Sequence, residues 1–184
     1  MSEDFTSVSL RHALRAETSA LHQELEKTVE ARGSFASAES YKDWLLIMQQ
    51  LHSLFAADYD AGCAALGLPK MAALLGEALA LDTGVDLPAC GKRHLPVGSE
   101  IGVAYVFEGS ALGARLLLRR TAALAPVPLD YLSTLVAESH DRWPLVKQRC
   151  AGQNVAGPAS ADPVIAGACT VFWRFQRAFA SELV

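Results

Sequence analysis

Among side chains able to bind a metal or move a proton, the five histidines separate first: His12, His22, His52, His94 and His140. Stepping 100° per residue along the helix marked by Leu10, Leu14, Leu21, Leu25 and Val29, His22 falls beside Thr18, Leu25 and Val29, on the flank of the apolar stripe. A histidine facing an apolar interior suits a neutral imidazole ligand, because burial disfavours the charged ring and leaves one nitrogen free for a metal such as iron. A core histidine bonded to a backbone carbonyl is the competing expectation. His52, His94 and His140 fall beside apolar neighbours, in a loop and near a helix break, and read as structural or surface groups.

A second feature is the glycine pair Gly109 and Gly113 inside YVFEGSALGA. Each interior glycine costs a helix about 1 kcal/mol relative to alanine, so two of them four apart, on one face, call for an explanation. Without Cβ atoms that face lets something flat approach the backbone and permits a bend. Close helix–helix packing through small residues, with Ala111 and Ala114 assisting, accounts for the same spacing. Taken together, His22 and the glycine face describe a planar metal macrocycle held between two helices.

Other chemistries find little support. The pairs Glu138/Asp141 and Asp58/Asp60 lack the Glu-x-x-His repeat of di-iron bundles. A P-loop, a dinucleotide fingerprint and a nucleophile elbow are missing. Cys63, Cys90, Cys150 and Cys169 are far apart and without zinc spacing, which fits buried thiols in a reducing cytoplasm.

The elements that must position these residues read with helical period. The first helix runs from Ser9 to about Ala31. A second runs from Tyr41 to Ala61, with Ser37 or Ser40 as N-cap, and a third from Pro69 to about Leu81. Glycines and prolines make 82–98 a connecting loop. Ser99 then caps a helix of roughly 25 residues that carries both glycines. Another helix covers about Leu129 to Glu138, broken near Pro144. Residues 152–161 form a loop, and Asp162 with Pro163 opens a last helix through Trp173, Phe175 and Phe179. No alternating strand is expected, so the fold class is all-α, a single-domain multi-helical bundle over residues 1–184.

Composition agrees. The 184 residues are 51% hydrophobic and 20% charged, with net charge −4, which suits a globular core and disfavours nucleic acid as a partner. No uninterrupted apolar run has membrane-spanning length, and the acidic opening MSEDFTSVSL is unlike a signal peptide. The expectation is a cytoplasmic protein without a membrane partner.

Two segments also resemble a known family. LRHALRAETSALHQELE resembles the L-R-x-x-T-x-x-x-H-x-x-L-E opening of bacterial biliverdin-producing haem oxygenases, and GVAYVFEGSALGARLL resembles their distal-helix motif with its E-G-S-x-L-G-G core. Helix order, length and the aromatic last helix agree with it. The resemblance implies that His22 is the axial ligand to haem iron and that Gly109, Ser110 and Gly113 line the oxygen side. It also implies cleavage of haem to biliverdin, ferrous iron and carbon monoxide, using O2 and electrons from a ferredoxin- or reductase-type donor. A histidine ligand does not push electron density toward O–O cleavage as a thiolate does, which suits that outcome. Ala114 stands where the family usually has a second glycine, adding a methyl near the distal wall.

The haem propionates require cations or hydroxyl donors. Arg15, two turns before His22 and within about 20° of its direction, is the first candidate, with Arg11 a turn further away. Lys147 and Arg149 fall where the family tends to place further basic anchors, and Tyr105 lies one turn before Gly109. A haem carrier or sensor without turnover, and an interaction module that never meets haem, stay open beside the oxygenase.

Overall fold

The computed structural model describes residues 8–124, 126–155 and 162–180. The order of elements is β1 (Val8–Ser9), α1 (Leu10–Ala31), α2 (Ala38–Ala65), α3 (Ala72–Thr83), α4 (Glu100–Ala122), α5 (Asp130–Ala151), β2 (Asn154–Val155) and α6 (Pro163–Ala180). The acidic opening before Val8 and most of the expected 152–161 loop lie outside the described residues. Within the described part, β1 and β2 add a two-residue antiparallel pairing, Val8 with Val155 and Ser9 with Asn154, too short to show any alternation in sequence.

Several helix starts follow local chemistry. Ser37 and Ser40 cap α2 reciprocally, each side chain accepting the other's backbone N–H. Asp162 accepts the Val164 N–H at 2.9 Å at the start of α6. Other starts are set from a distance. The third helix begins at Ala72 and not at Pro69, because Asp60 Oδ1 near the end of α2 accepts the Met71 and Ala72 N–H groups at 3.1 and 3.0 Å. Likewise the Asp82 carboxylate accepts from Asp130 and Tyr131 N–H, both at 2.9 Å, and so caps α5 from the end of α3. Ser99 precedes α4 without a side-chain cap bond. Glu100 instead accepts from the Gly98 N–H at 2.7 Å.

The expected break at Pro144 does not occur. α5 is continuous through it, although an interior proline costs a helix about 3 kcal/mol or more. Tertiary anchoring beside the proline offsets that cost: Arg142 reaches across to Glu108 of α4, and Trp143 packs on Gly109.

Helix α4 lies at the centre of the bundle, packed on α2, α5 and α6, while α1 packs chiefly along α6. It is long and apolar enough to cross a bilayer by length and composition, yet Val103, Ala104, Val106, Phe107 and Ala111 are buried against neighbouring helices. Backbones approach closest at Gly62, Gly102 and Gly167, where an added Cβ would overlap the carbonyls of Glu100, Val164 and Ser99. Small-residue helix packing is therefore present in the chain, but at these three glycines.

Candidate functional site

The structure opens a cleft between α1 and α4, floored by α6 and flanked by α5. Two adjoining cavities of about 630 and 560 Å³ make it up, sharing His22, Leu25, Glu26, Gly109, Ser110, Leu112 and Phe175. On α1, residues 11, 15, 18, 22 and 26 recur at steps of three and four, so Arg11, Arg15, Thr18, His22 and Glu26 form one line along the cleft.

His22 is not buried in the core. Its side chain is 52% exposed at the cleft wall, with Nδ1 3.5 Å from Glu26 Oε1. The ring meets Phe172 of α6 edge-on, with centroids 5.8 Å apart. The expectation of a buried, desolvated ring is corrected accordingly: position 22 lies on the flank of the leucine stripe, and that flank borders open space. Glu26 was missed, although its place one turn after His22 was visible in the spacing. The true core histidine is His52, with Nε2 2.8 Å from Tyr131 Oη, and burial pushes its pKa down to about 3. His94 Nε2 lies 3.2 Å from Cys90 Sγ, and His140 pairs with Asp141 at the surface.

Facing His22 are Gly109, Ser110 and Gly113 of α4, which runs unbroken through both glycines. A Cβ at Gly113 would meet nothing within 4 Å, whereas one at Gly109 would lie 3.3 Å from the Trp143 indole. Ser110 Oγ donates to the Phe107 carbonyl at 2.6 Å. Ala114 is buried and borders the same space. Leu112 and Leu116 leave 64% and 60% of their surface open on this side of α4.

The two ends of the cleft differ in character. One holds Arg11, Arg15, Lys147 and the half-buried Tyr105. Burial raises the Tyr105 pKa, with Arg11 and Arg15 pulling the other way, so the phenol is a hydrogen-bond donor at neutral pH. The other end is apolar, with Phe35, Trp44, Met48, Leu132, Leu135 and Phe179, and its cation Arg120 is matched by Glu30 at 3.0 Å.

Arg149 is not in the cleft. It borders a separate surface hollow with Gln148, Gly152 and Gln153. Helical geometry gives the reason: residues two apart point about 200° from each other, so α5 can turn Lys147 or Arg149 toward the cleft but not both.

Behind the glycine wall sits a buried ion pair with no counterpart in the sequence expectations. Arg142 Nε donates to Glu108 Oε1 and Oε2 at 2.9 and 3.1 Å, Tyr59 Oη donates to Glu108 Oε1 at 2.8 Å, and Arg142 Nη1 donates to the Pro69 carbonyl at 3.0 Å. Burial works against the Arg142 charge, but the Glu108 carboxylate outweighs it. Burial also pushes the neighbouring Cys63 thiol up to about 12. The network ties α2, α4, α5 and the α2–α3 connection together directly behind Gly109.

No family model matches the chain, and no curated protein matches it. Among solved structures, the NO- and CO-bound haem oxygenase from Neisseria meningitidis superposes with a TM-score of 0.70, covering 96% of this chain and 94% of that one at 22% identity. At that identity the likeness establishes the architecture: this chain has the all-α fold of a haem oxygenase.

Proposed function

We propose that the chain is a haem oxygenase, acting in the cytoplasm, that cleaves haem to biliverdin, ferrous iron and carbon monoxide. O2 and electrons from a ferredoxin- or reductase-type donor would be consumed. The observation that carries this reading is the polarity of the cleft. An imidazole stands opposite bare main chain, with cations at one end and apolar side chains at the other. A flat amphiphile with a metal at its centre and carboxylates along one edge complements all four features.

The residues present fit such a group. His22 supplies a ligand nitrogen, and Glu26 on its Nδ1 side, 3.5 Å away, is placed to orient the ring, as the outer partners of metal-bound histidines do. Arg11, Arg15 and Lys147 would take the propionates, with the Tyr105 hydroxyl as a further donor. Leu112 and Leu116 present apolar surface of the kind that a ligand covers. Each cavity lies within the size range of small-molecule sites.

When bound, haem would supply redox-active iron and would itself be the molecule consumed. The chain's own part is to hold and exclude. Gly113 leaves a space beside α4 with no side chain to fill it, while the carboxylates of Glu26 and Glu30 line the same cavity. Ser110 spends its hydroxyl proton on the Phe107 carbonyl, so its oxygen faces the cleft as an acceptor for water. Phe172 and Phe175 of α6 form an apolar floor to the cleft beside His22, whose ring meets Phe172 edge-on. The four cysteines are free thiols, the state that a reducing cytoplasm maintains.

Titration with hemin, followed by ascorbate or a reductase in air, tests the proposal. The expected result is a Soret band that forms on binding and is then replaced by biliverdin absorption. A Soret band that persists under reductant would make the chain a carrier or sensor. No Soret shift at all would favour an interaction module. His22→Ala should abolish or displace the axial ligation, and an unchanged ferric spectrum with full turnover would remove His22 from the iron.

A further inference from the structure

The two glycines of the α4 wall are not equivalent. Gly113 exposes main chain, with nothing within 4 Å of the place a Cβ would take. At Gly109 the space is already filled, by Trp143 Cη2 and Cζ3 at 3.3 and 3.5 Å from that place. Trp143 also packs on Tyr105 with ring centroids 5.4 Å apart, and it borders the cationic cavity but not the apolar one. Its neighbours in sequence hold it there. Arg142 is tied to Glu108, so consecutive residues of α5 engage consecutive residues of α4, and Pro144 follows with its φ locked by the ring. An indole has only two side-chain torsions, and this one is packed against Gly109 and Tyr105 and cannot swing aside without losing those contacts.

We propose that Trp143 sets the in-plane register of a flat ligand in the cleft, which deepens the haem reading above and rests on it. The indole is a stop. One edge of the macrocycle lies against it, so the carboxylate edge meets Arg11, Arg15 and Lys147 in a single rotational setting and a single ring edge lies beside the open backbone at Gly113. The cations alone lack this selectivity, because long flexible side chains follow a carboxylate through several positions. A rigid ring discriminates by overlap, rejecting the settings that would run into it. Trp143 is thus a positioning residue that determines which isomer of the product forms.

Proton NMR of the cyanide complex of the ferric haem-loaded protein reads the register directly, since each rotational setting gives its own set of shifted haem methyl resonances. Wild type should show one dominant set. Trp143→Ala should show two, with the tenfold or larger preference reduced to about threefold or less, and haem affinity reduced by no more than about tenfold. The biliverdin isomers released on turnover should become mixed in the same ratio. Should circular dichroism show Trp143→Ala unfolded, Trp143→Leu takes its place, keeping bulk while losing the flat edge. A single unchanged set of resonances in a folded variant overturns the proposal, as does a wild type with two equal sets. A wild type that forms no haem complex, seen in the Soret region, overturns the haem reading itself and is told apart in that way.

Discussion

The same residue type does opposite work at different places in this chain. At Gly62, Gly102 and Gly167 a methyl group would collide with a neighbouring backbone, whereas at Gly113 it would enter open space. Gly102→Ala should therefore destabilise the fold, while Gly113→Ala should raise the thermal midpoint, through up to about 1 kcal/mol of helix propensity. A bulkier Gly113→Leu should block binding of O2 or carbon monoxide to the loaded protein while sparing haem uptake, and unchanged gas affinity would take Gly113 out of the wall. The histidines divide in a similar way. His52, with its pKa pushed down to about 3 from 6.5, is held neutral by burial. The unfolded chain binds that proton more readily than the folded one, so the contribution is fully present above pH 6.5 and is lost as pH falls toward 3. Wild type should lose stability faster than His52→Gln between pH 6.5 and 4, and parallel curves in thermal melts would contradict this.

Helix extents in the middle of each element were legible, because leucine spacing and capping serines act within a few residues. Their boundaries were less so wherever the cap is a carboxylate from another element. Nothing in the sequence around Pro69 shows that Asp60 will fix the start of α3 at Ala72, and nothing around Pro144 shows that Arg142 will carry α5 through a proline. Both depend on three-dimensional neighbours. The Asp82 cap belongs to this class: Asp82→Ala should cost about 1 kcal/mol, leaving two N–H groups at the start of α5 unpaired, with faster hydrogen exchange confined to that turn. Arg142→Ala should cost about 3 kcal/mol or more, because it strands the Glu108 carboxylate in the interior. Denaturant unfolding that shows Arg142→Ala near wild type would mean the pair contributes little to joining α4 and α5.

At the scale of the molecule, the six described helices set two walls apart and leave between them a cleft with a charged end and a greasy end. Arg15, His22, Tyr105, Gly109, Ser110, Gly113 and Lys147 were all named from sequence, and the bundle brings them around this one space. Residues on a single helix, such as Arg15 and His22, could be related by counting turns. Lys147 and Arg149 could not be told apart until α5 was placed, and Trp143 and the Glu108–Arg142 pair gave no local signal because their partners lie on other helices. The function of the cleft turns on the fate of a porphyrin placed in it. The most direct measurement is the yield of biliverdin and carbon monoxide from a known amount of bound haem under reductant and air. Equimolar biliverdin and carbon monoxide, lost in His22→Ala, is the result predicted here; haem recovered intact from the wild-type protein would contradict it.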